Sequence, residues 1–166
     1  VGARVFPAGT GNTEQQVEAA HWLRPTAYAG TPDFLKAMLD KAAETGRDLS
    51  SIRKALVSGG ALFPSMRDEY RSRGISVMQC YATADLGVIA YETQKDGTPL
   101  PGMVVSENII LEILRPGTDD PVEPGEVGEI VVTNFNAAYP LIRFGTGDLS
   151  AIIGETCFDV PEAGAL

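Results

Sequence analysis

Lys54-Ala55-Leu56-Val57-Ser58-Gly59-Gly60, residues 64–74 from Pro64 to Gly74, and then Ile75-Ser76-Val77-Met78-Gln79 form the stretch on which the fold turns. The first apolar run reads as a buried strand, and the glycine pair lets it turn tightly. Pro64 suits the first turn of a helix and Gly74 the position just past its end. The second apolar run is then another strand. Strand, glycine turn, helix, strand is the unit of a parallel sheet with crossover helices. It delivers residues 80–86 at the carboxyl end of a strand, the edge at which open α/β sheets bind ligands.

Upstream the same texture continues. Thr13 with Gln16 predicts a capping box that opens a helix over residues 13–22. A strand is expected at 27–29. Thr31 before Pro32 then places an N-cap at a helix whose Phe34, Leu35, Met38, Leu39 and Ala42 share one face, closed by Gly46.

Downstream of Gly87 the pattern changes to strands separated by Gly, Pro and Asp, clearest at 108–114, 127–133, 141–144 and 149–153. The turn residues Pro116-Gly117-Thr118-Asp119-Asp120 make the first two of these antiparallel neighbours. The expected fold is α/β: a three-layer parallel-sheet subdomain with crossover helices at 1–102, followed by a mainly antiparallel, β-rich subdomain at 103–166. The boundary is expected near Gly102.

Composition narrows the function classes. Thirteen Lys and Arg against 22 Asp and Glu leave a formal charge of -9, which argues against a nucleic-acid partner, since displacing counterions from phosphates needs clustered cations. The densest basic stretch, Arg67, Arg71 and Arg73, is interleaved with Asp68 and Glu69 and reads as the solvated face of a helix. Cys80 and Cys157 stand far apart in no metal spacing, so a reducing cytoplasm is the default expectation. No apolar run reaches the about 20 residues that span a bilayer, so no membrane partner is expected. A start without Met and an end at Pro161-Glu162-Ala163-Gly164-Ala165-Leu166 read as an internal piece of a longer protein.

Three short segments carry candidate chemistry. Gly59-Gly60-Ala61 allows close backbone approach to a planar ligand, although a plain strand-to-helix turn is the commoner use of such a pair. Tyr81-Ala82-Thr83-Ala84-Asp85 sets a ring that can stack on a base four residues from a carboxylate that can hold a hard cation; a buried tyrosine and a turn aspartate would look the same. Thr146-Gly147-Asp148 exposes a carboxylate on a turn between two strands, suited to ribose hydroxyls or simply to a hairpin. His21, Cys80 and Trp22 call for nothing beyond a surface or capping residue, an unactivated thiol and a packing residue.

In order and spacing, the three together resemble the adenylate-forming superfamily of acyl–coenzyme A synthetases, luciferases and peptide-synthetase adenylation domains. Gly125-Glu126-Val127-Gly128-Glu129-Ile130 fits that family's strand entry between the last two. Within it, Gly11-Asn12-Thr13-Glu14-Gln15-Gln16, Tyr28-Ala29-Gly30-Thr31-Pro32 and Tyr139-Pro140-Leu141-Ile142-Arg143-Phe144 resemble phenylacetate–coenzyme A ligases. The likeness covers nearly the whole chain.

The resemblance implies an ATP-dependent acid–coenzyme A ligase of aromatic acid catabolism, with an aryl or arylacetic acid as the favoured substrate and a homodimer as the family's assembly. Gly59, Gly60, Ala61, Tyr81, Ala82, Thr83, Ala84 and Asp148 would bind ATP or AMP. Asp85 would be the catalytic carboxylate, holding Mg²⁺ directly or through water, and Tyr28, Gly30 and Ala82 would line the acyl pocket. Three positions depart from the family pattern: Ala82 stands for Gly, Ala84 for a hydroxyl residue and Asp85 for Glu. The family's phosphate loop and its carboxy-terminal domain with the catalytic lysine are absent, so this stretch by itself is expected not to turn over. The alternative is an AMP-binding pseudoenzyme or regulatory module.

Overall fold

The computed structural model describes residues 2–154, with the backbone of 158–159. Cys157 and the terminal stretch 161–166 lie outside the described residues. Helix α1 spans Thr13–Leu23, β1 Ala27–Gly30, α2 Pro32–Thr45, β2 Lys54–Val57, α3 Pro64–Ser72 and β3 Ser76–Thr83. Then come β4 Gly87–Lys95, β5 Thr98–Val105, β6 Ile109–Leu114, β7 Gly128–Asn134, β8 Phe144–Ile152 and β9 Phe158–Asp159.

The expected change from α/β to antiparallel β is present. Strands β1, β2 and β3 pair in parallel, and the pairings from β3 onward are antiparallel. All nine lie in the order β1-β2-β3-β4-β5-β9-β8-β7-β6. Gly102 falls inside β5.

Local signals explain the first half. The Thr31 hydroxyl accepts from the Phe34 N–H at 3.4 Å, Pro32 occupies the first turn, and Gly46 ends α2 at φ 64°. Lys36 reaches Glu69 at 2.9 Å and Arg73 reaches Asp40 at 2.8 Å, so α2 and α3 lie side by side on one face of the sheet. Beneath them Leu35, Val57 and Tyr70 are fully buried, each apolar side chain contributing about 2 kcal/mol. The Tyr70 hydroxyl donates to the Pro32 carbonyl at 2.6 Å. Burial first, then the nearby Glu69 carboxylate, pushes the Tyr70 phenol up to about 12. A second core, built on Ile89, Ile113, Ile130 and Val132, underlies the antiparallel strands.

Several local expectations change. The Thr13–Gln16 capping box does not form: Asn12 occupies the N-cap at φ 50° with no side-chain bond. Gln16, almost buried, instead donates its amide to the carbonyls of Gly11 (2.7 Å) and Gly9 (3.3 Å), holding the glycine-rich segment onto the helix. Trp22 is 75% exposed rather than packed. The segment 80–86 is mostly strand, since β3 runs on to Thr83 and only 84–86 turn. Asp96 and Gly97, both at positive φ, join β4 to β5 as a hairpin, which sequence inspection did not single out. The 141–144 and 149–153 segments are not two strands around a turn. A single strand, β8, runs through Thr146-Gly147-Asp148 and its flanks.

Candidate nucleotide site

The parallel register sets Gly30, Val57 and Gln79 abreast at the carboxyl end of the sheet. Immediately beyond, the Ser58 N–H donates to the Gly30 carbonyl at 3.0 Å. Gly59 takes φ 70°, a conformation that favours glycine. A Cβ on Gly60 would sit 3.4 Å from Pro32 Cδ, so the glycine turn lies closely against the start of α2. Half-buried Ala61 follows it.

Tyr28 curls over Gly30 and its hydroxyl donates to the Thr31 carbonyl at 3.0 Å. A Cβ on Gly30 would run into that hydroxyl, so the ring's position depends on glycine there. Burial raises the Tyr28 phenol above its ordinary value.

Tyr81, Ala82 and Thr83 end β3, all half-buried, while Ala84 and Asp85 are exposed on the turn into β4. The Thr83 hydroxyl accepts from the Leu86 N–H at 3.2 Å and closes the turn. Opposite Tyr81 and Ala82 the register slips, leaving Ile89 unpaired and fully buried in the antiparallel core. The Tyr81 ring packs against that same core.

The Thr146-Gly147-Asp148 motif is a bulge. Glu129 pairs with Leu149 and Val131 with Gly145, so Thr146, Gly147 and Asp148 together stand opposite Ile130 alone. Each motif residue has a mechanical task. Thr146 donates its hydroxyl to the Ile130 carbonyl at 3.1 Å and accepts from the Asp148 N–H at 3.2 Å. Gly147 takes φ 77°. Asp148 is thereby pushed out of the strand, as bulges re-aim a side chain, and its Oδ2 accepts from the Tyr81 hydroxyl at 2.5 Å. Burial first, then this bond, raises the Tyr81 phenol well above its ordinary value.

Two further contacts were not legible in the sequence. The Tyr139 hydroxyl lies 3.5 Å from Asp85 Oδ1; the residues are 54 positions apart, and Tyr139 carried only a family likeness. Arg67, assigned above to a solvated helix face, instead turns inward to Glu92 at 2.7 Å. No periodicity or motif marks that pair. Arg143 is engaged by Glu112 at 3.2 Å and Asp119 at 3.3 Å.

Asp148 and Asp85 are thus exposed carboxylates, each touched by a phenol, the first on β8 and the second on the turn from β3 into β4. An anionic oxygen of this kind accepts from sugar hydroxyls or binds a hard cation. Among the described residues no cluster of three or more His, Cys, Asp or Glu forms a metal cage. No described helix is long and apolar enough to cross a membrane.

Residues 1–138 match the AMP-binding enzyme family. A phenylacetate–coenzyme A ligase of Pseudomonas putida is 28% identical over 167 residues, covering 94% of this chain and 36% of that ligase. The chain therefore spans about a third of the length of the curated relatives it matches. Among solved structures, a 2-hydroxyisobutyryl-CoA ligase in complex with 2-HIB-AMP and CoA superposes with TM-score 0.76 at 24% identity, over 95% of this chain and 36% of that one. An anthranilate CoA ligase in complex with anthranoyl-AMP gives TM-score 0.72 at 16% identity, over 94% and 33%.

Proposed function

The chain belongs to the AMP-binding enzyme family, and from that premise we propose that it supplies the adenosine-binding side of an ATP-dependent acid–coenzyme A ligase acting on an aryl or arylacetic acid. The observation that carries this is the Thr146-Gly147-Asp148 bulge, which presents a carboxylate beside Tyr81. The likeness to phenylacetate–coenzyme A ligases over 94% of the chain supports the acid class.

In the full-length protein, the acid's carboxylate oxygen attacks the α-phosphorus of ATP. The bond to pyrophosphate breaks, and an acyl adenylate forms. Coenzyme A thiolate then attacks the activated carbonyl, expelling AMP and leaving the thioester. Gly59, Gly60 and Ala61 flank one side of the adenine and Tyr81 the other. Asp148 accepts from the ribose hydroxyls. Thr83 and Ala84 lie along the α-phosphate, where alanine offers no hydroxyl. Tyr28, Gly30 and Ala82 bound the acyl group. Residues 1–102 in this scheme hold the base and acid, and residues 103–166 hold the sugar.

Asp85 would hold Mg²⁺, which offsets the repulsion between an anionic nucleophile and a triphosphate. Aspartate is one methylene shorter than the family's glutamate, about 1.5 Å, which favours contact through a water molecule. Cytoplasmic location and homodimer assembly belong to the same proposal.

The test is acid-dependent pyrophosphate release by the full-length protein that carries this chain, across aryl and aliphatic acids with coenzyme A and Mg²⁺. Aryl acids should give the fastest release. AMP binding without release from any acid would defeat the ligase assignment in favour of a nucleotide-binding module.

A further inference from the structure

β3 changes partners halfway along. Residues 76–79 pair with β2 in parallel, and residues from Cys80 onward pair with β4 in the antiparallel sense. Alternate residues of a strand present both backbone groups to the same edge. Val77 and Gln79 therefore face an edge that β4 joins only at Cys80, opposite Tyr91. Backbone groups left there without a partner would carry a desolvation cost.

Two side chains take the missing strand's place. Glu92, the β4 residue after Tyr91, accepts from the Gln79 N–H at 2.7 Å. Arg67, on α3, donates to the Val77 carbonyl at 3.0 Å and to Glu92 at 2.7 Å. Both side chains are largely withdrawn from water, 17% and 13% exposed. The pair thus ties the helix that follows the glycine turn to the hairpin that carries Tyr81, Thr83 and Asp85. Tyr81 sits two residues beyond Gln79.

We propose that Arg67 and Glu92 are positioning residues that set the angle of the β3–β4 hairpin and so place Tyr81 against Asp148. The clamp itself stands on geometry alone; its consequence for nucleotide affinity rests on the function proposed above. Arg67 touches neither base nor sugar in that scheme. It acts through the strand.

The experiment compares Arg67→Met, Arg67→Lys and Glu92→Gln in the full-length protein by amide hydrogen exchange and by AMP calorimetry. Arg67→Met should speed exchange in segments 79–86 and 146–149 by about tenfold, with the remaining segments unchanged. AMP affinity should fall roughly tenfold, because small displacements of contact groups are costly. Arg67→Lys restores a cation able to reach one acceptor and should recover part of both losses. Glu92→Gln keeps an acceptor for Gln79 and gives the same pattern in weaker form, and it decides the matter should Arg67→Met fail to fold. Uniformly faster exchange, or local loosening with unchanged AMP affinity, would reduce the pair to a structural brace and overturn the proposal. If the parent protein binds no AMP, the nucleotide assignment fails, and the exchange pattern alone then supports or overturns the clamp.

Discussion

Two tyrosine–aspartate contacts lie at the same end of the molecule and differ in kind. Tyr81 and Asp148 meet at 2.5 Å, with the ring packed on the antiparallel core and the carboxylate aimed by a pinned bulge. Tyr139 and Asp85 meet at 3.5 Å, both exposed, the first on an irregular connection and the second on a hairpin turn. The first is held by elements on both sides before any ligand arrives. The second is at the outer limit of a hydrogen bond and holds little. In the proposed enzyme the first serves base and ribose, which are chemically constant. The second serves a cation and phosphates, whose positions change as pyrophosphate leaves, so a loose contact costs the site little there.

The difference can be broken by mutation. Asp85→Asn should have the largest effect, lowering pyrophosphate release by the full-length protein about a hundredfold. Its AMP affinity, measured without Mg²⁺, should stay within about twofold. A parallel fall in AMP binding would mean the two contacts are not separable. Asp148→Ala comes next: AMP affinity should drop between about tenfold and a hundredfold, the range expected for hydrogen bonds to a charged group. Equal binding by the mutant would remove the ribose role.

Tyr81→Phe sharpens the comparison by deleting one hydroxyl and keeping the ring. A loss of about threefold to tenfold in AMP affinity is expected. The same variant carries a pH signature. Because the folded phenol titrates above the ordinary value of 10.0, its contribution to stability is complete below that value. It is lost as pH rises through the raised folded value. Thermal unfolding measured above pH 10 should therefore fall less steeply with pH in Tyr81→Phe than in the parent. Tyr139→Phe should do least, changing pyrophosphate release by about twofold or less; a larger loss would show that the exposed contact tightens when substrate binds.

Legibility in the sequence followed the range of the interaction. Thr31-Pro32 and Gly46 announced α2, and the apolar runs announced β2 and β3, because caps and turns are decided within a few residues. The candidate residues also came from sequence, as three motifs, yet their arrangement did not. Thr146-Gly147-Asp148 read as a turn between two strands, since Gly-Asp is an ordinary turn pair. Only the pairing of β8 with β7 makes it a bulge. Thr13 and Gln16 fitted a capping pattern, but the glycine segment ahead of the helix offered Gln16 two carbonyls and won. Asp96-Gly97 was a readable hairpin signal.

Arg67 had no such signal at all. On α3 it sits among Asp68, Glu69 and Arg71 like any solvated charge, and its partner lies 25 residues away. The sequence alone determined the strand–glycine–helix unit, the change to antiparallel strands and the family's three motifs, because backbone propensity and apolar period act locally. The tertiary structure alone decided that Tyr81 meets Asp148 across 67 residues, and that Arg67 and Glu92 close the gap where β3 changes partners. Those contacts depend on strand order and register, which no short window of sequence contains.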